Sequence, residues 1–484
     1  MIGDRRLRLE EPPRDLRCEL VRLVGALLVG IVLWFAPSPE GVDIRAWHLL
    51  AIFIATIVAI VTSPFPMGAI AMFGIAATSL TGTLTIEESV SGFGERVIWL
   101  IVIAFFISRG FLKTGLGTRI AYLFMAAVGN TSLGLAYSLV AADLVLAPAM
   151  PSNTARAGGV IFPIVRSIAR SYGSEADDGT ARKIGAFLVK TSYQGTVITS
   201  AMFLTAMAAN PIAVRLASDI GVRITWGSWA LAAIVPGLVS LAVVPWVLYK
   251  TYPPDIRETP GARQIARDQL LDMGKLKPSE WTMLGTFFLL LFLWIFGAQL
   301  GLDSTGTTAA FVGLAVLLLS GTLTWDDVLQ EKEAWNTLVW IATLVMMANY
   351  LNELGLVRWF AMTMGSAVAG ISWVPAFLIL SLVYFYSHYF FASNTAHVVA
   401  MYAVFLAIAI AVGTPPALAA LVFAFFSNLF AGLTHYGTGP APVFFGSGYV
   451  EMDAWWGLGA LLSVLNIVVW IAVGGLWWKV IGVW

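Results

Sequence analysis

Two short strings carry the residue types from which an anion-binding site can be built. Pro151-Ser-Asn-Thr-Ala-Arg156 and Ser393-Asn-Thr-Ala-His397 each set three hydrogen-bonding side chains, an alanine and a basic residue inside segments that are otherwise apolar. Ser, Asn and Thr are favoured at helix N-caps because their side chains accept from the free amides of the first turn. Pro151 discourages a helix from running straight through the first string. A helix that begins at such a string presents unpaired N–H groups and about half a positive charge at its end. Two such ends brought together would give an anion uncharged donors from both sides. Ser152, Asn153, Thr154, Ser393, Asn394 and Thr395 are therefore the first candidates for ligand contact.

A second pair of segments is expected to open beside them. Lys190-Thr-Ser-Tyr-Gln-Gly-Thr-Val-Ile-Thr199 shares the pattern Thr191 to Thr196 with Thr434-His-Tyr-Gly-Thr438, one gap apart. Gly439, Pro440 and Pro442 disfavour regular helix in the later copy. Gly195, Thr196, Gly437, Thr438 and Pro440 are thus expected to line the site from opened backbone. Four basic residues, Arg156, Lys190, His397 and His435, fall two per copy and are expected to compensate the charge of a bound anion. Ionisable side chains at membrane depth are functional candidates by default. Asp143, upstream of Ser152, reads as a structural partner. Walker, HExxH and Cys/His metal patterns are missing from the chain, so neither ATP drive, nor a metal, nor another cofactor is expected.

The elements that must hold these residues are read from composition. The chain has 484 residues, 59% hydrophobic and 12% charged, with mean hydropathy +0.83; soluble domains are nearer roughly 45–50% apolar and about 25% charged. Apolar runs recur along the length, and about 20 residues cross the hydrocarbon core, which predicts an all-α polytopic membrane protein. Formal net charge is +0, which gives no reason to expect a nucleic-acid partner. Cys18 is the single cysteine, so no intramolecular disulfide can form. Spans are predicted near 21–36, 46–62, 66–81, 97–112, 186–209, 229–249, 281–300, 306–320, 336–352, 416–436 and 455–478. Segments 120–172 and 372–412 are predicted to be re-entrant hairpins. Arginine-rich residues 1–20 and the polar stretch 251–280 are assigned to the cytoplasm by the positive-inside rule. The C-terminus then falls on the opposite face. Arg109, Lys113 and Arg119 are expected to snorkel at a helix end.

The chain also repeats itself. Gly82-Thr-Leu-Thr matches Gly321-Thr-Leu-Thr, Gly115-Leu matches Gly355-Leu, and Ser152-Asn-Thr-Ala matches Ser393-Asn-Thr-Ala, at offsets of 239, 240 and 241 residues. Two halves, 46–250 and 281–484, follow, each with five spans and one hairpin. An odd count inverts the second half, a pattern associated with secondary transporters.

On the paired SNT strings and paired opened segments, the chain resembles the divalent anion:sodium symporter family of di- and tricarboxylate transporters. The wording of PSNTARAGGVIFPI and LTHYGTGPAPVFFGSGY is most similar to its citrate/succinate antiporter and plastid 2-oxoglutarate/malate translocator branch. The resemblance implies that the SNT residues hold substrate carboxylates, that Thr438 and Pro440 line the site, and that each hairpin moves in an elevator-like domain. It also implies a homodimer in the inner membrane, in contact with lipid. Sodium-coupled members bind their ion between each SNT tip and its opened helix. Here basic residues stand beside those places, so sodium-independent exchange is expected over sodium-coupled dicarboxylate or sulfate symport. An anion channel and a membrane enzyme are the weaker readings; no acid–base pair at the midplane supports an enzyme.

Overall fold

The computed structural model describes residues 16–297, 299–302, 306–367 and 372–484, and these are helical throughout, with no β-strand among them. Of the N-terminal tail, residues 1–15, with Arg5, Arg6, Arg8 and Arg14, lie outside the described residues. Eight helices are long and apolar enough to cross a membrane by length and composition, and five apolar helices of 10–17 residues accompany them among the described residues.

The internal repeat recurs as local geometry. Gly82 and Gly321 take φ of +65° and +70°, conformations that glycine adopts without a Cβ penalty. Each precedes a capping box: Thr85 with Glu88, and Thr324 with Asp327. Gly115 and Gly355 end the following long helices at φ +79° and +83°. Next comes a short apolar helix, Leu116–Val128 or Leu356–Ala367, and then a helical hairpin. The first hairpin descends as Ser132–Leu146 and returns from Asn153 to Ser171. The second descends as Trp373–Phe390 and returns as Asn394–Ala411. Both return arms carry one π turn, Ala157–Ile161 and Val398–Tyr402, five residues after their SNT string begins. An inserted turn of this kind is common at functional sites.

The first opened segment is displaced from where the sequence puts it. Gly185–Met202 is one unbroken helix with every residue buried, Lys190 to Thr199 included. A lone glycine costs a helix only about 1 kcal/mol, and packing on all sides outweighs it. Gly195 serves close approach instead, since a Cβ there would stand 2.7 Å from Val140. The chain opens after Met202, where Phe203 and Met207 are extended around a single 3-10 turn, and resumes as Ala209–Asp219. In the second half Pro416–Leu429 gives way after Phe430–Gly432, and helix restarts at Pro440–Phe445. Asn210 Nδ2 donates to the Ser200 and Phe203 carbonyls at 2.8 and 2.9 Å. Asn428 donates to Asn210 Oδ1 at 2.7 Å, tying the two halves together.

Polar stretch 251–280 is ordered. Its helix Pro260–Met273 packs on Leu116–Val128, and Arg263 donates to the Ala126 and Ala127 carbonyls. Arg119 does not snorkel: it is buried, with its guanidinium on Glu280 at 2.6 and 3.1 Å and on the Gly274 carbonyl at 2.9 Å. Lys113 pairs with Asp327 at 2.5 Å.

Candidate anion site between the two hairpin tips

Ser152 and Ser393 are the N-caps of the two return arms. Each side-chain oxygen accepts from the amide three residues on, Ala155 at 3.1 Å and Ala396 at 3.4 Å. The first amides of a helix have no partner within it, so the N–H groups of Asn153, Thr154, Asn394 and Thr395 point out of the helix ends. Both ends line one cavity of about 250 Å³, a volume on the scale of a small organic anion. Ser152, Asn153, Thr154, Ser393, Asn394, Thr395 and Thr438 line it. Asn153 Nδ2 donates to Thr438 Oγ1 at 3.2 Å, and Asn394 Nδ2 to the Ser427 carbonyl at 2.9 Å. The first tip thus rests on the second opened segment and the second tip on the helix Pro416–Leu429 that leads into it.

Other proposed lining residues lie elsewhere. Gly195 and Thr196 are inside the unbroken Gly185–Met202 helix, off the cavity wall. Gly437 and Pro440 are buried behind the wall, which Thr438, Gly439 and Pro442 form. The opening in the first half contributes Met207 and Ala208 instead.

None of the four basic residues lines the cavity. Arg156 is fully buried and donates to Asp143 Oδ1 at 3.0 Å, the Met150 carbonyl at 2.7 Å, the Ala206 carbonyl at 3.0 Å and Ser200 Oγ at 3.0 Å. Asp143 also accepts from the Thr199 hydroxyl. The cation expected to compensate substrate charge is therefore half of a neutral pair with Asp143, the structural partner that the sequence suggested. Its guanidinium bridges the hairpin turn to the first opened segment. Lys190 is buried with its ammonium on the Trp455 carbonyl at 3.0 Å and 4.0 Å over the Trp455 ring. His397 is buried in an aromatic stack, its ring centroid 4.6 Å from both Phe391 and Phe430, with Nε2 3.1 Å from Ser387 Oγ. His435 Nδ1 accepts from the Trp456 indole at 3.2 Å.

Sequence reasoning missed two groups. His388 is buried, with Nε2 3.0 Å from the Gly437 carbonyl, and so touches the second opened segment as Arg156 touches the first. Glu333, Asn336, Thr337 and Trp340 also line the cavity, with Met67 and Phe105. They stand at i, i+3, i+4 and i+7 of Lys332–Glu353, one face of that helix, and three polar residues on one stripe of an apolar span was the available signal.

Comparisons with known proteins agree with this architecture. The YdaH transporter of Alcanivorax borkumensis, whose crystal structure is described as revealing an unusual topology, superposes with TM-score 0.54 at 14% identity, over 97% of this chain and 99% of that one. This likeness concerns the fold alone. The Bacillus subtilis protein YflS, named provisionally as a malate transporter, is 60% identical over 96% of this chain and 97% of its own length. A spinach protein named dicarboxylate transporter 1, chloroplastic, is 52% identical over 96% of this chain and 81% of its own length. The profile of the family described as the sodium:sulfate symporter transmembrane region matches residues 17–484. With nearly its whole length matched, the chain belongs to that family.

Proposed function

We propose that the protein is a secondary transporter of di- or tricarboxylates such as malate, succinate, 2-oxoglutarate or citrate, working as a sodium-independent exchanger. The convergence of two helix N-termini on one cavity of about 250 Å³ carries the anion part of this reading. The dicarboxylate and malate names of the relatives support the substrate class. Amide and hydroxyl donors at Asn153, Thr154, Asn394 and Thr395 suit two carboxylates, one per tip, and donors to charged groups contribute about 1.5–3 kcal/mol each.

Arg156 supports exchange over symport. Its guanidinium takes the Met150 and Ala206 carbonyls, between hairpin turn and opened segment, where the family resemblance sets a sodium ion. A side chain cannot leave after each cycle as an ion does. With Asp143 neutralising Arg156, slow empty return rests on the tips themselves. Their donors are satisfied by a carboxylate and costly to carry unsatisfied through low dielectric. In this reading the two hairpins move as an elevator between inverted repeats in a homodimer of the inner membrane. The N-terminus is cytoplasmic and the C-terminus on the opposite face. No catalytic role is assigned to any residue. Sodium-coupled symport is the second reading, favoured by Asn394 Oδ1 and Asn428 Oδ1, buried acceptors with no hydrogen-bond partner among the described residues.

The test is radiolabelled succinate uptake by proteoliposomes. Exchange gives equal uptake in sodium and choline when the vesicles are loaded with dicarboxylate, and almost none when they are empty. Uptake into empty vesicles that requires a sodium gradient rules it out in favour of symport.

A further inference from the structure

An anion cavity is an unfavourable place for a carboxylate, yet Glu333 is among the residues that line it, together with both tips. Among the described residues it is the only charged one lining the cavity. It forms no ion pair among the described residues. The repeat supplies an internal control. At the start of the matching helix, one alignment position away, Glu95 stands at the N-cap position of Arg96–Thr114 without a side-chain bond to that helix's amides. Arg215 covers Glu95 with Nε and Nη2, both at 3.4 Å, and Asn349 Nδ2 donates to it at 3.1 Å. One half of the protein neutralises its acid, and the other leaves it open to the ligand.

We infer that Glu333 sets how much negative charge a substrate can bring into the cavity, admitting a dianion and penalising a trianion. This rests on the carboxylate-transport reading. The donors of Asn153, Thr154, Asn394 and Thr395 are uncharged and saturable, so a third carboxylate gains little from them. It meets the Glu333 wall instead, where each added substrate charge adds one unit repulsion. Across a few ångströms of wet cavity that repulsion amounts to a factor of roughly three to thirty in affinity. Asn336 and Thr337, on the same stripe, give the ligand neutral partners without this penalty. An acid in a helix's first turn is also favourable with the helix dipole, so stability alone does not identify the role.

The readout is a ratio of uptakes by loaded proteoliposomes for succinate, citrate and a citrate monomethyl ester, which keeps citrate's size with one charge fewer. Wild type is expected to take succinate and the ester well and citrate poorly. Glu333→Gln raises citrate relative to the ester roughly tenfold, and raises succinate as well but by less than citrate, because the dianion carries one repulsion fewer. Asn336→Asp, which adds a charge one turn along while keeping the acceptor for the Gly68 amide, lowers citrate further and serves if the first variant does not fold. An unchanged citrate-to-ester ratio in either folded variant overturns the inference. So does a wild type that takes citrate as readily as the ester. A wild type that transports none of the three refutes the carboxylate reading itself, which separates the two failures.

Discussion

Removing the Arg156 guanidinium tests whether its charge serves the fold or the ligand. Arg156→Met keeps apolar bulk but deletes donors to Asp143, Met150, Ala206 and Ser200. Asp143 is 1% exposed, so its charge would stay buried with only the Thr199 hydroxyl left from this network. Breaking a buried pair from one side costs about 3–5 kcal/mol. The two carbonyls lose further hydrogen bonds, although such costs do not simply add. We expect the single variant to unfold several degrees early or to fail to accumulate. Asp143→Asn with Arg156→Met removes both charges, keeps an acceptor for Thr199, and should recover about 2 kcal/mol or more relative to Arg156→Met alone. Thermal unfolding in detergent, followed by the fluorescence of the nineteen tryptophans, measures all four corners of the cycle. A loss below about 1 kcal/mol for Arg156→Met, or strictly additive single changes, would refute the neutral-pair argument.

Two further outcomes follow from the same geometry. Cysteines at Ser171 and Ala411, exposed at the bases of the two return arms, should label from opposite membrane faces in a Cys18-free background; labelling from one face contradicts inversion of the repeats. Burial would raise the Asp327 carboxyl, but the Lys113 ammonium and the Thr324 amide and hydroxyl outweigh it and hold it at about 2, down from 3.8. Its contribution is therefore complete above pH 4 and fades as pH falls toward 2. Because the pair is partly exposed, it amounts to about 1 kcal/mol at most. Asp327→Asn should lower the unfolding temperature slightly at pH 7 and by clearly less at pH 2.5, and an equal loss at both would show that charge is not responsible.

The sequence by itself determined whatever depends on neighbours along the chain. Hydrophobic length set the class. Ser152 and Ser393 were legible as caps because a cap is a bond between a side chain and an amide three residues away. The repeat was legible because Gly82, Gly115 and their counterparts occupy backbone conformations that few other residues tolerate. Gly439, Pro440 and Pro442 marked the second opening, since proline lacks the amide a helix needs. Tertiary structure decided the rest. Gly195 breaks nothing because Val140 packs against it from another helix, so the first opening moved to residues 203–208. Arg156 looked like a site cation until Asp143, Thr199 and Ala206, up to 50 residues away, closed around it. Glu333 reached the cavity only because Lys332–Glu353 shares its lining with hairpin tips that come from both halves of the chain. Such placements follow from packing between segments far apart in sequence. A charged side chain has the same local signature whether its partner is a carboxylate, a carbonyl or a substrate.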